Sequence, residues 1–476
     1  MTGLDAYRPR LAALVRDAVE AHGVPGAAVG VLLGTDTAVA TAGVANVTTG
    51  VAVTPDTLFQ VGSLTKLYTA TLVLQAHSAG VLALDEPVRA QLQEFSVADP
   101  GATLEITPRH LLTHTSGIAG DHLHDTGANQ DALQRYVATL AALGQVHAPD
   151  EAYSFCNTGF GVLGRLIEVV AGGNFDQVLR RRLAGPLGAG NTWTLPQHLL
   201  LRQVAVGHVQ TPGAPAVRQP RWTLTRSNGP MGGIVCTAED LLTFARMHLE
   251  SGSGPDGNEV LPSAAVELMT ESHVETPVPG EAQALGWTRR MWGDVVCLAQ
   301  DADTFGQRAF FRVVPDARFA LSVQANSPLG AALARDVMTA VAADLVGLPV
   351  TGDLAVNDPP DGDRDGDGDG DGDGDGDGGG YPDAEPFLGT YGRLHQRLTV
   401  SDEAGDLVLA TEPSGVLARL GQHGATSRLR PVRPAAGVFA ATDAATGVEH
   451  TVAFTGGDET HARYVHVDGR LHRRMV

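Results

Sequence analysis

An aspartate–glycine tract at residues 361–380 is the feature that most restricts how this chain can fold. The tract contains only Asp and Gly apart from Arg364. It has no apolar side chains to bury and its charges repel one another, so we expect a solvated, extended linker. No Glu occupies the twelfth position of a calcium-loop register, which disfavours a calcium site. We therefore predict a body at 1–350, a linker at 351–384 and a small domain at 385–476.

Composition, net charge and sequence pattern argue against several kinds of partner and location. Hydrophobic residues make up 43% of the chain, enough for a large core, and the formal net charge of -21 argues against nucleic acid or an anionic membrane as a partner. The N-terminus lacks a signal-peptide pattern, and no apolar run is long enough to span a membrane. The 3 cysteines are too scattered for a disulfide framework. We expect a cytoplasmic protein with no metal or cofactor and leave its oligomeric state open.

The body shows the same pattern at its two ends, a helix next to a pair of strands. Apolar residues at helical spacing predict the helices, and alternation bounded by turn residues predicts the strands. We expect one antiparallel sheet built from both ends and flanked by helices, with a helical region inserted between them, which is an α/β (α+β) fold. The predicted elements are a helix at 7–18, strands at 27–33, 37–42, 308–314 and 318–324, and a helix at 333–345.

The segment after the linker has a different character. Short alternating apolar stretches such as Leu398/Val400 and Leu407/Leu409 are broken by Gly and Asp. Repeated short strands with turn residues between them are typical of small all-β domains. We therefore predict a small antiparallel β-barrel at residues 385–476.

Lys66 is the only lysine among 33 basic residues and follows Ser63 by three positions. Arginine stays protonated, whereas a lysine in apolar surroundings can lose its proton and act as a base. If residues 63–78 form a helix, positions i and i+3 share a face and place the Ser63 hydroxyl beside the Lys66 amine. This is the arrangement of an activated serine nucleophile. We take Ser63 as the nucleophile and Lys66 as its base.

With these motifs placed, residues 1–350 resemble the class C β-lactamase-like serine hydrolases, a penicillin-binding-protein-type family. The resemblance implies a β-lactamase/transpeptidase-like fold and an acyl-enzyme at Ser63. The family includes carboxypeptidases, esterases, D-amino-acid peptidases, acyltransferases and the peptide-cyclising thioesterases of antibiotic biosynthesis. Residues 385–476 resemble the lipocalin-like barrel that some members append. The motifs that carry the resemblance lie at 61–66, 111–117, 157–160, 163–164 and 306–307.

One departure from the family pattern concerns a tyrosine. The Tyr-x-Asn triplet, whose tyrosine shuttles protons, falls on Phe155-Cys156-Asn157. Asn157 matches the pattern, but Phe155 has no hydroxyl. Tyr153, two residues earlier, is the candidate surrogate.

A second departure lies on the strand that should border the site. The Lys-Thr-Gly or His-x-Gly triplet falls on Gln300-Asp301-Ala302, so a neutral amide replaces the cationic or imidazole side chain. The resemblance still implies an oxyanion hole made by the backbone amides of Ser63 and Asp303. Such a hole depends on backbone geometry more than on side chains. The candidate substrate-binding or supporting residues that the resemblance implies are Phe155, Asn157, Gln300, Asp301 and Asp303.

Two functions remain open at this stage. In the first, Ser63 takes an acyl group from a small-molecule or peptidyl ester, thioester or amide and passes it to an amine or to water. In the second, the loss of the proton-handling groups has left a pseudoenzyme that acts as a binding or scaffold protein. The retained lone lysine favours the enzyme.

Overall fold

The computed structural model describes residues 3–222, 224–350, 384–419, 424–442, 449–457 and 460–475. Two compact units make up the chain, residues 1–353 and 354–476. The predicted Asp-Gly linker lies outside the described residues. None of the helices in the described part of the chain combines the length and apolar character needed to span a bilayer.

The first unit is built on a nine-stranded antiparallel sheet, counted over the described residues. Its order is β3-β2-β1-β13-β12-β11-β10-β9-β8, so the strands from both ends of the body meet at β1 and β13 as predicted. Two further pairs, β4 with β7 and β5 with β6, lie outside it. The strands are β1 Gly26–Leu33, β2 Asp36–Asn46, β3 Val51–Ala52, β4 Phe59–Gln60, β5 His208–Val209, β6 Val217–Arg218, β7 Val235–Cys236, β8 Val274–Glu275, β9 Ala282–Gln283, β10 Thr288–Trp292, β11 Val295–Thr304, β12 Gln307–Val314 and β13 Phe319–Ala325.

Helices cover both faces of this sheet. Gly30 and Ser322 lie opposite each other on β1 and β13, and a Cβ at Gly30 would meet Leu242 of α10. Ala325 points to the other face, where it contacts Gly330 of α12, and α1 packs beside α12. The helices are α1 Gly3–Ala21, α2 Thr65–Ser78, α3 Val88–Gln91, α4 Pro100–Glu105, α5 Pro108–Leu112, α6 Ala132–Thr139, α7 Asn157–Ala171, α8 Phe175–Leu179, α9 Gly229–Gly232, α10 Ala238–Leu249, α11 Ser263–Thr270 and α12 Gly330–Val346.

Two local features differ from the sequence prediction. Helix α2 begins at Thr65 and not at Ser63, because the residues Gly62–Leu64 form a tighter 3-10 turn. Strands β8 to β10 extend the sheet but carry no clear alternation, since β8 and β9 have two residues each and β10 contains two arginines. The sequence pattern therefore does not identify them.

The second unit is a closed antiparallel barrel of eight strands within the described residues, as predicted. Closure comes from pairing of the first strand with the last, where Tyr391 lies opposite Arg474. Its core contains Leu398, Phe439 and Phe454. The elements are β14 Gly389–Arg393, β15 Gln396–Glu403, β16 Asp406–Pro413, α13 Gly415–Arg419, β17 Ala425–Arg433, β18 Val438–Thr442, β19 Glu449–Gly457, β20 Ala462–Val467 and β21 Arg470–Arg474.

Candidate active site

Ser63 lies in the 3-10 turn Gly62–Leu64, between strand β4 and helix α2. Strand β4 is held by antiparallel pairing with β7, and the amide of Val61 donates to the carbonyl of Ile234 at 3.0 Å. Most residues of α2 are buried, as expected for a helix inside a core. Ser63 itself is partly exposed. A rigid framework therefore presents its hydroxyl at the surface of the unit.

Lys66 is completely buried, and its Nζ lies 3.0 Å from Ser63 Oγ. Nζ also donates to the carbonyl oxygen of Met231 at 2.8 Å. The rings of Phe155 and Phe160 lie over Nζ, with centroids at 4.7 and 5.6 Å. A neutral amine at this distance from a hydroxyl can accept its proton as the oxygen attacks.

Strand β11 lies against the turn that holds Ser63. Gly62 has a φ of +48°, and a Cβ there would lie 2.6 Å from Thr304 Cγ2 and 3.2 Å from Ala302 Cβ. Glycine is required both by the backbone conformation and by the close approach of the strand. The carbonyl oxygen of Asp303 lies 3.6 Å from the same Cβ position. The backbone of Asp303 thus borders the turn, and its amide stays a candidate for the oxyanion hole.

We expect Gly62→Ala to lower the free energy of unfolding by about 2–3 kcal/mol, because backbone strain adds to a steric clash. Displacement of β11 should also slow labelling of Ser63 by a fluorophosphonate at least about 10-fold. The matched control is Gly34→Ala, since Gly34 has a φ of +64° with nothing within 4 Å of its Cβ position. Urea unfolding and labelling rates check both variants, and equal losses in the two would contradict this account.

Side chains alternate along β11 between two faces of the sheet. Ala302 and Thr304 meet Gly62, and Gln300 shares their face. Gln300 is buried, and its Nε2 donates to the carbonyl of Asp301 at 3.1 Å. A neutral amide therefore occupies the position expected to carry Lys or His, on the face that meets the Ser63 turn.

Asp301 lies on the opposite face of β11, although the sequence suggested a supporting role at the site. Its Oδ1 lies 2.5 Å from Nη1 of Arg312, a completely buried side chain. Its Oδ2 lies 3.3 Å from Arg290, which also pairs with Glu281 at 2.8 Å. The hydrogen bonds from two guanidinium groups to one carboxylate are charge-assisted, and they hold the carboxylate in a fixed position. Asp301 thus anchors the strand beneath the face that meets the Ser63 turn.

We expect Asp301→Asn to lower the free energy of unfolding by about 2–3 kcal/mol, because it leaves the buried Arg312 without its full counter-charge. Asp303, two residues further along β11, is the control: it pairs with Arg308 at 3.1 Å, but 57% of its side chain is exposed. Asp303→Asn should therefore lower the free energy of unfolding by less than about 1 kcal/mol. Urea unfolding distinguishes the two variants, and similar losses would show that Asp301 has no special anchoring role.

Phe155 occupies the position where a tyrosine hydroxyl was expected. Its ring lies over Lys66 Nζ and packs against the ring of His114, with the centroids 4.7 Å apart. Tyr153, the candidate surrogate, is buried and meets the His114 ring edge-on at 6.0 Å. Phe155 therefore lies over the lysine, and both Phe155 and Tyr153 pack against His114. The surrogate role of Tyr153 stays a prediction.

Asn157 is the first residue of α7 and is partly exposed. Its Nδ2 donates to Oδ1 of Asp121 at 2.8 Å, and Asp121 is buried. The preceding Cys156 is also buried, and its amide donates to Nδ1 of His114 at 3.0 Å. The start of α7 is therefore fixed by the loop that follows α5.

Several supporting residues were missed by sequence reasoning. Asp121 holds Asn157, His114 holds the Cys156 amide, and Gln307 accepts a hydrogen bond from the Gln60 amide at 3.2 Å. His114 and Gln307 lie inside two of the motifs that carry the family resemblance. Their supporting role could not be predicted, because the sequence does not show that both are buried. Asp121 and the carbonyl of Met231 gave no sequence signal, because neither belongs to a recognisable pattern.

Comparison with known proteins places this constellation in a family. A family model described as Beta-lactamase matches residues 11–344, which is most of the first unit. The chain belongs to the beta-lactamase family. This family consists of serine hydrolases. The close approach of Lys66 to the Ser63 hydroxyl agrees with that chemistry.

Named relatives extend the similarity. The chain is 40% identical over 332 residues to Penicillin-binding protein 4 of Amycolatopsis lactamdurans, covering 69% of this chain and 87% of the relative. The crystal structure of SurE with D-Leu aligns over 99% of this chain and 100% of SurE, with a TM-score of 0.75 and 27% identity. A class C beta lactamase from Rhodobacter sphaeroides aligns over 70% of this chain and 99% of its own, with a TM-score of 0.57 and 24% identity.

Proposed function

We propose that this protein is a serine acyltransferase that forms an acyl-enzyme at Ser63 and passes the acyl group to an amine, and more slowly to water. The observation that carries the proposal is the distance of 3.0 Å between Lys66 Nζ and Ser63 Oγ, with the lysine buried and the serine partly exposed. The donor is an ester, thioester or amide.

In the first half-reaction, neutral Lys66 accepts the Ser63 proton as Oγ attacks the donor carbonyl. The backbone amides of Ser63 and Asp303 are proposed to stabilise the negative charge on the carbonyl oxygen. The carbon–heteroatom bond then breaks, and Lys66 returns the proton to the leaving alcohol, thiol or amine. In the second half, a neutral amine attacks the ester carbonyl, and Lys66 takes a proton from the attacking nitrogen. Lys66 then passes this proton to Ser63 Oγ as the bond between Oγ and the acyl carbon breaks.

The side chains around Ser63 favour an amine over water as the acceptor. Water is a weak nucleophile and needs a well-placed base, whereas a neutral amine needs less help. Phe155 supplies an apolar ring where a tyrosine would supply a hydroxyl, and Gln300 supplies no positive charge for a substrate carboxylate. We therefore propose that β-lactams and peptides with a free carboxylate at this position are poor substrates.

The similarity to SurE suggests the stereochemistry of the donor. SurE was solved with D-Leu, and its similarity covers nearly the whole of this chain. We propose that the acyl group transferred here ends in a D-amino acid residue.

The test uses the N-acetylcysteamine thioesters of N-acetyl-D-leucine and N-acetyl-L-leucine, with glycinamide as the acceptor. Mass spectrometry of the intact protein follows the acyl-enzyme, and chromatography separates the amide product from the free acid. We expect the D donor to acylate Ser63 faster and the amide to exceed the acid. Rapid hydrolysis of a chromogenic cephalosporin, or preference for the L donor, would overturn the corresponding part of the proposal.

A further inference from the structure

His114 lies in the loop that follows α5, and the mechanism above gives it no role. The residue is buried. Its φ is +60°, a left-handed conformation that few residues other than glycine adopt. Uncommon backbone conformations of this kind persist only where the surrounding structure holds them, and they concentrate at functional sites. The contacts of His114 show what this conformation supports.

His114 holds the chain on both sides of Phe155. Its backbone carbonyl accepts a hydrogen bond from the Ser154 amide at 2.8 Å, and its Nδ1 accepts one from the Cys156 amide at 3.0 Å. The imidazole ring also packs against the ring of Phe155, with the centroids 4.7 Å apart and the planes at 34°. One residue therefore fixes both the backbone and the ring of Phe155.

The ring that His114 holds lies over the catalytic base. The centroid of Phe155 is 4.7 Å from Lys66 Nζ, and that of Phe160 is 5.6 Å from it. The imidazole of His114 packs against Phe160 as well, at 5.4 Å. His114 thus contacts both of these aromatic rings from the side of the loop.

Two effects of the rings on Lys66 oppose each other. A ring face attracts an ammonium and shifts the equilibrium toward the charged amine by about 2- to 30-fold. Loss of water around an amine shifts it toward the neutral form by up to about 10³–10⁵-fold. Lys66 is completely buried, so the loss of water dominates and the rings favour the neutral amine.

We propose that His114 is a positioning residue that holds Phe155 over Lys66 and thereby keeps water away from the amine that activates Ser63. Phe155 is partly exposed, so its ring can turn toward solvent once the hydrogen bond to the Cys156 amide is removed. Water then reaches Nζ, and the lysine becomes harder to deprotonate. This inference rests on the proposed acyl transfer at Ser63.

Other titratable groups lie on the elements around Lys66. Burial raises the pKa of the Cys156 thiol to about 11, and Asp121 contributes to this increase. Burial also raises the pKa of Tyr68, on α2, well above its ordinary value. Helix α9 has no titratable side chain, and Asp303, on β11, is largely exposed and ion-paired. With the thiol and the phenol neutral, a change of rate near neutral pH reports on the lysine.

The test compares His114→Gly with His114→Asn. Both replacements accept a left-handed backbone, but only asparagine offers an acceptor, because its Oδ1 is as many bonds from Cα as Nδ1 of histidine. Both also lack the imidazole, so titration of that ring cannot cause a difference between them. The measurement is the rate of Ser63 labelling by a fluorophosphonate between about pH 5 and pH 10. In this reaction Oγ bonds to phosphorus, fluoride leaves, and Lys66 takes the serine proton.

We expect His114→Gly to move the midpoint of the pH profile upward by about one pH unit, because water around Nζ favours the charged amine. The rate at pH 7 should fall about 10-fold, whereas the plateau at high pH should stay within about 3-fold of wild type, since the lysine is neutral there in both proteins. His114→Asn should keep the midpoint within about 0.3 pH unit of wild type, because the hydrogen bond to the Cys156 amide is retained.

A double variant tests whether His114 acts through Phe155. Phe155→Ala should raise the midpoint as His114→Gly does, and the two substitutions together should raise it no further. Fully additive shifts would show that His114 acts by another route and would reject the inference.

His208→Gly is the matched control. His208 is also a buried histidine whose ring accepts a backbone hydrogen bond, from the Val47 amide to Nε2 at 3.3 Å. Its substitution should reduce stability without moving the midpoint. If His114→Gly does not fold, His114→Ala takes its place, since a methyl group also offers no acceptor.

The outcomes are distinguishable. A rate that falls by the same factor at every pH, or an equal shift in His208→Gly, rejects the role of His114 and leaves the nucleophile at Ser63 intact. A shift in His114→Asn as large as that in His114→Gly also rejects it, because the hydrogen bond would then have no effect. Absence of any labelling of wild-type Ser63 rejects the proposed function, and this inference with it.

Discussion

Replacement of Lys66 by arginine is expected to reduce acylation of Ser63 by about 10³–10⁴-fold. The substitution keeps a long basic side chain, but a guanidinium does not give up its proton at neutral pH. Nζ, which lies 3.0 Å from Ser63 Oγ in the wild-type protein, is then replaced by a group that cannot accept the serine proton. The measurement is the rate of fluorophosphonate labelling, followed by the mass of the intact protein.

Arg335→Lys is the control for this experiment. Arg335 is an exposed residue of helix α12, so the reverse exchange should leave both the labelling rate and the melting temperature unchanged. Retained melting temperature in Lys66→Arg would show that the loss is chemical. Labelling of Lys66→Arg at the wild-type rate would exclude the lysine as the base.

Restoring a hydroxyl at Phe155 should increase hydrolysis. We expect Phe155→Tyr to raise the ratio of free acid to amide product about 10-fold or more, because a phenol next to Lys66 can help to activate water. Phe155 is partly exposed, and its ring centroid lies 4.7 Å from Nζ. Product analysis with a thioester donor and glycinamide gives the ratio directly.

Phe160→Tyr is the matched control for the added hydroxyl. The ring of Phe160 also lies over Lys66 Nζ, at 5.6 Å, but Phe160 is completely buried. Its new hydroxyl has to be accommodated inside the core, which should lower stability by about 1–3 kcal/mol without increasing hydrolysis. An increase in hydrolysis for Phe160→Tyr but not for Phe155→Tyr would refute the role assigned to Phe155.

Much of the architecture could be predicted because it follows from local patterns. The flanking helices, the strand pairs at both ends of the body and the C-terminal barrel all carry regular apolar spacing, and the structure shows each of them. The contact between Ser63 and Lys66 could also be predicted, because side chains three positions apart lie next to each other on a helix. The 3-10 turn at Gly62–Leu64 changed the start of the helix without separating the pair.

The remaining parts of the candidate site depend on contacts between distant segments. The face on which Asp301 lies is set by the register of β11 with β12, in which it stands opposite Phe310, and sequence does not reveal that register. The contact between Asn157 and Asp121 joins residues 36 positions apart. The packing of Tyr153 and of Phe155 against His114 also follows from tertiary structure, which the sequence does not reveal.

The central claim is that Ser63 is an acylated nucleophile. The most direct test is mass spectrometry of the intact protein after incubation with an ester, a thioester and a lactam donor, followed by peptide mapping. We predict a single adduct from the ester and the thioester, located at Ser63 and absent from Ser63→Ala. Absence of an adduct from every donor in folded wild-type protein would contradict this account and favour a non-catalytic binding protein.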